Sequence, residues 1–138
     1  VQEAFDTWLA EGQPGYVGRE RLAPREAIDL IHRAGGVVFV AHPVFLGDDY
    51  AAVIRELATM GLDGLETYYK HYGPETVAEH EKLAGSLGLA TSGGSDYHGL
   101  GNPNDREIGD IPFPDEAVAA FLGFLARRGA HMMRAGGT

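Results

Sequence analysis

Apolar positions change their period several times along this chain. Over residues 1–11, Val1, Phe5, Trp8 and Leu9 recur at helical spacing and Gly12 stops the run, which predicts a helix. Residues 13–23 carry no period and read as a linker. Pro24 suits the first turn of a second helix, whose buried side would be Ala27, Ile28 and Ile31 before Gly35 and Gly36 end it. Residues 37–41 (VVFVA) are then apolar without interruption, β-branched and aromatic. Continuous apolarity predicts a strand covered on both faces, as in parallel sheets. The alternation repeats: helix 49–60, strand 62–68, helix 74–87 and a short strand 89–92. A Pro-bounded loop, 110–114, leads to a helix over 114–128 with Ala117, Phe121, Leu122 and Leu125 inward. Arg127 and Arg128 suit the negative end of its dipole.

This βαβαβα order with short turns implies right-handed crossovers and a parallel sheet, so the fold class is α/β. Three parallel strands are few for such a domain, and a closed barrel of this connectivity needs about eight strands and roughly 250 residues. The chain therefore reads as part of something larger, an expectation that its opening on Val1 supports. Residues 1–34 form a helical lead-in, 35–129 the β/α region and 130–138 a flexible tail.

The length of 138 residues fits one domain able to bury about two-thirds of its unfolded surface. Twenty Gly and seven Pro suit short elements joined by tight turns. A formal charge of -9 argues against an extended nucleic-acid surface and against anionic membranes, while leaving room for a local phosphate pocket. The absence of Cys removes disulfides, thiolate zinc sites and thiol nucleophiles, and it fits a cytoplasmic location. No apolar run reaches membrane-spanning length.

In parallel α/β folds chemistry gathers where the strands end. The first strand runs into Ala41-His42-Pro43, and the second carries Glu66 and runs into Tyr69-Lys70-His71. The third runs into Gly93-Gly94-Ser95-Asp96-Tyr97-His98-Gly99, so each strand delivers a His or an Asp to one rim. Asp96 and His98 are two apart and share a side in an extended segment, which suits a zinc, manganese or iron ion. The same pair also suits a polar turn in which Asp96 caps backbone amides. His42, biased to extended backbone by Pro43, is a metal ligand or a structural residue. Glu66 reads as supporting other groups, while His32, His80 and His131 read as surface residues. Arg19, Lys70, His71 and Arg106 are weaker candidates for holding a substrate phosphate.

Together the segments GGVVFVAHP, GLDGLETYYKHY and GLATSGGSDYHGLGNPNDREIGDIPFP resemble the PHP (polymerase and histidinol phosphatase) superfamily. The nearest likeness is to its metal-dependent phosphoesterases, among them nucleoside 3′,5′-bisphosphate phosphatases and 5′→3′ exoribonucleases. The resemblance implies a distorted (β/α)7 barrel, a cluster of two or three divalent ions (Mn, Zn or Fe) and hydrolysis of phosphate esters by metal-activated water. It makes His42, Asp96 and His98 metal ligands, with Asp96 and His98 catalytic through the bound metal. It also implies a phosphorylated small molecule or short nucleotide as substrate. The family's opening His-x-His is absent, so the chain resembles the carboxyl-terminal half of such a domain, inactive without its other half. The alternative is a non-catalytic metal-binding or interaction module, whose exposed sheet edges would favour self-association.

Overall fold

The computed structural model describes residues 2–18, 21–99 and 108–135, side chains excepted at Gln2 and over 130–135. Short helical turns come first, α1 over Gln2–Ala4 continuing as a π-helical stretch over Phe5–Leu9. The main body follows as α2 (Pro24–Arg33), β1 (Phe39–Val40), α3 (Tyr50–Thr59), β2 (Gly64–Tyr69), α4 (Pro74–Leu87), β3 (Ala90–Gly94) and α5 (Asp115–Ala135). The three strands pair in parallel in the order β1-β2-β3, as the alternating pattern implies.

Two helices are bounded for chemical reasons. Glu26 reaches back to the Ala23 N–H at the start of α2, 2.9 Å away, satisfying a donor that the helix leaves open. α4 starts on Pro74 and ends on Gly88 at φ +68°, where the Leu89 N–H returns to the Ala84 carbonyl. That bond turns the chain straight into β3.

α3 and α4 cover one face of the sheet through Ile54, Leu62, Leu65, Leu83 and Ala84, with Val38, Val40 and Leu89 packed around them. Phe39, between Val38 and Val40, points the other way and meets Phe121 and Phe124 of α5 edge-on. α5 thus lies over the second face. Its inward positions are Ala117, Phe121, Phe124 and Leu125, whereas Leu122, expected inside, is exposed. The helix also continues past Arg128 to Ala135.

β1 is shorter than its apolar run. The Val38 carbonyl accepts from both Asp63 and Gly64, and the Val38 N–H donates to the Asp63 carboxylate, so a regular ladder begins only at Phe39. The lead-in also departs from expectation. Phe5, Trp8 and Leu9 are all more than half exposed, and in α2 only Ile28 is fully buried while Ile31 faces water. Nothing among the described residues covers that apolar side of the first turns.

Asp63 ties the elements together. Its side chain is fully buried, yet it accepts from the Val38 N–H, from Arg128 of α5, and stands 2.7 Å from His32 Nε2. A buried carboxylate persists only with such partners. His32 is therefore part-buried against the Asp63 carboxylate, and not a surface residue as its charged neighbours suggested.

Candidate functional site

Parallel pairing brings the carboxyl ends of all three strands to one rim, with His42 after β1, Tyr69 and Lys70 at the end of β2, and Asp96 after β3. His42 and Asp96 are the non-glycine residues with positive φ among those described, at 31° and 50°. Asp and His visit this region more readily than most side chains, yet a non-glycine residue there costs on the order of 1–3 kcal/mol and needs contacts that hold it. The contacts are present. Glu66 Oε2 accepts the His42 N–H at 2.6 Å, Phe45 meets the imidazole edge-on at 5.1 Å, and the Tyr69 ring lies 5.9 Å from it.

Asp96 is held from two sides. Tyr69 Oη donates to its Oδ2 at 2.9 Å, and Lys70 Nζ donates to its carbonyl at 3.0 Å while lying 3.8 Å from Oδ2. His98 Nδ1 sits 2.8 Å from the same carbonyl, and its Nε2 is 3.8 Å from Oδ1. His98 thus stands beside Asp96 on the exposed side of the loop. A β-bulge between Glu66 and Tyr68 lets β2 aim Glu66 and Tyr69 at neighbours on opposite flanks. Gly94 makes room for this, since a Cβ there would stand 3.0 Å from Glu66 Oε1.

The electrostatics follow from burial. Desolvation raises the Glu66 pKa, the nearby Asp96 charge adds to that, and the His42 N–H and imidazole oppose it. Burial, together with the hydrogen bond to Asp96, pushes the Tyr69 phenol up to about 12, so it remains a proton donor at neutral pH. Tyr72, packed 5.1 Å from Tyr69, is likewise pushed up to about 12 by burial.

The residues present do not by themselves fit a metal centre. Among the described residues, no group of three or more His, Cys, Asp or Glu side chains comes together closely enough to hold an ion. A divalent ion wants about four or more donors. Two grooves of about 400 and 290 Å³ run between α4 and the segment 112–127, and neither is lined by His42 or Asp96.

Of the residues suggested to meet phosphate, Lys70 is buried, 4% exposed at its side chain, with its ammonium on Asp96. His71 is exposed, with its ring edge-on to Tyr69 at 5.6 Å. Arg19 and Arg106 lie outside the described residues, and the side chain of His131 is not described. His80, expected on the surface, is fully buried between the rings of Tyr50 and Tyr72 at 5.3 and 5.0 Å. The turn of α4 carrying it faces the sheet, and neither ring nitrogen has a hydrogen-bond partner among the described residues.

Pattern reading put Tyr69 just past the second strand and gave it no role, because local spacing does not show which cross-strand group its hydroxyl meets. The usable signal was Asp63 and Glu66, two charges inside a run otherwise fit for burial, which had to find partners across the sheet.

Comparison with known proteins adds to this geometry. No protein-family model matches the chain. It is 27% identical over 118 residues to a 3′,5′-nucleoside bisphosphate phosphatase of Chromobacterium violaceum, covering 81% of this chain and 41% of that protein. It is 29% identical over 101 residues to the 5′-3′ exoribonuclease Rnm of Escherichia coli, covering 71% and 34%. Among solved structures, a chain assigned as a metal-dependent phosphoesterase from Bifidobacterium adolescentis superposes with a TM-score of 0.62 at 28% identity, over 89% of this chain and 44% of that one. The chain thus spans less than half the length of each of these relatives. The resemblance drawn from the strand-end motifs is borne out.

Proposed function

We propose that this chain, a relative of the PHP-type phosphoesterases, is the carboxyl-terminal half of a distorted (β/α)7 barrel belonging to a metal-dependent phosphoesterase. The complete protein hydrolyses a phosphomonoester or a nucleotide phosphate, with His42, Asp96 and His98 serving its metal cluster. Two of these are held at the ends of the strands that flank β2, His42 by Glu66 and Asp96 by Tyr69 and Lys70. That paired, strained placement of an imidazole and a carboxylate on one rim is the observation that carries the reading.

The other donors come from outside the described residues, since these do not complete a metal centre. The 138-residue chain alone is accordingly inactive, and we place it in the cytoplasm. Arg19, His71 and Arg106 are the side chains proposed to meet the substrate phosphate, with Lys70 acting there through Asp96.

A direct test is manganese-dependent release of phosphate from adenosine 3′,5′-bisphosphate by a longer protein containing this chain. Activity lost in His98→Ala is the expected result, and full activity in that variant overturns the assignment. The second reading, a non-catalytic module that works by self-association through its open sheet edges, is favoured by the incomplete donor set. Absence of bound metal together with a stable dimer would support it.

A further inference from the structure

One side chain touches both strained residues of the rim. The Tyr69 ring lies 5.9 Å from the His42 imidazole, and its hydroxyl donates to Asp96 Oδ2 at 2.9 Å. Tyr69 is itself fixed: it is 4% exposed, lies at the end of the central strand, and packs against Tyr72 at 5.1 Å and edge-on to Phe45 at 6.3 Å. The next residue, Lys70, sends its ammonium to the Asp96 carbonyl, the atom whose direction the left-handed backbone sets.

We infer that Tyr69 is a positioning residue that fixes the separation of His42 and Asp96, with Lys70 locking the backbone of Asp96. Two features single Tyr69 out from an ordinary core aromatic. A core ring needs no hydroxyl, yet this one donates its proton to a carboxylate 27 positions away. It also spans from one edge strand to the other, and β1 and β3 make no ladder with each other. Glu66 of the same strand holds the His42 backbone N–H, whereas Tyr69 reaches the side chains of both residues. A left-handed non-glycine residue survives where its surroundings over-determine it, and Tyr69 is the contact common to both such residues.

The inference rests on reading His42 and Asp96 as the groups that face the substrate, but its test does not need the substrate. The labelled 138-residue chain is followed by NMR, with the urea midpoint as a measure of global stability. Tyr69→Phe keeps the ring and removes the hydroxyl. It is expected to move the carboxyl carbon resonance of Asp96 while leaving the His42 amide proton, held by Glu66, and the urea midpoint in place. Tyr69→Leu removes the ring as well and is expected to move both. Lys70→Met is expected to move the carbonyl carbon of Asp96. An unmoved Asp96 carboxyl in Tyr69→Phe overturns the inference, and so does a fall in urea midpoint with resonances shifted throughout the core. If Tyr69→Leu fails to fold, Tyr69→Phe decides alone. Loss of the phosphoesterase reading would leave these resonances as they are, so the two failures are separable.

Discussion

His32 Nε2 stands 2.7 Å from Asp63 Oδ2, a contact that spans 31 positions and pins α2 to the entrance of β2. The same carboxylate takes the Val38 N–H and Arg128, so one buried group gathers α2, the approach to β1, and α5. Asp63→Ala leaves the half-buried Val38 donor without its acceptor and Arg128 without its carboxylate, and is expected to cost about 2–3 kcal/mol, read as a lower urea midpoint. Arg128→Ala removes a half-exposed partner and is expected to cost about 1 kcal/mol or less.

His80 makes stability depend on pH. Burial lowers its pKa from 6.5, opposed in part by the Glu79 carboxylate. The unfolded chain therefore takes up the proton more readily than the folded one. The stabilising effect is full above the unfolded value and is lost as pH falls from there through the lowered folded value. The urea midpoint is expected to drop between pH 7.5 and 5, with a slope from this group no steeper than about 1.4 kcal/mol per pH unit. His80→Leu is expected to remove that component.

Glu66 has the opposite sign. Its pKa is raised in the folded state, so its charged form is disfavoured there, and folding is less stable above its ordinary value than below it. Glu66→Gln keeps an oxygen able to accept the His42 N–H and is expected to gain up to about 1 kcal/mol at pH 7, a gain that vanishes near pH 4. Paired denaturations at the two pH values check this.

The αβ alternation was legible because period and punctuation are local. Residues 62–68 and 74–87 announce a strand and a helix by composition alone, and the observed Gly64–Tyr69 and Pro74–Leu87 differ only at the margins. The placement of His42 and Asp96 past the strand ends was legible too, His42 from the apolar run before it and Asp96 from the glycine-rich turn before it. The partners were not. Glu66 on His42 and Tyr69 on Asp96 are cross-strand relations set by register and by a bulge, neither of which leaves a mark in local spacing. The exposed Phe5 and Trp8 show the converse: helical spacing names the side that would be buried and not the surface that would cover it.

Gly64 and Gly85 test the packing from opposite directions. A Cβ on Gly64 would collide with the Phe39 ring and the Ala90 carbonyl, so Gly64→Ala must push strands apart. A loss of about 3 kcal/mol is expected. Gly85 lies in α4 with nothing within 4 Å of such a carbon, and Gly85→Ala is expected to gain about 0.5–1 kcal/mol. Thermal melts of the two variants should move in opposite directions.

Divalent ions provide the remaining test. With the donor set incomplete, the chain is expected to bind manganese no more tightly than about 100 μM, so 1 mM should stabilise it by no more than about 1.4 kcal/mol. His42→Ala should abolish what effect there is. A shift several times larger would mean that the chain assembles a full centre, for example between two copies.

Trp8 is the sole tryptophan of the chain, and it sits 58% exposed on the uncovered side of the first turns. Its indole already experiences water in the native state, so its emission should be red-shifted from the outset and change little when urea melts the sheet. The same fluorophore should turn blue when another protein surface settles over the leading segment, which makes the native chain a built-in optical sensor of docking and a poor one of unfolding.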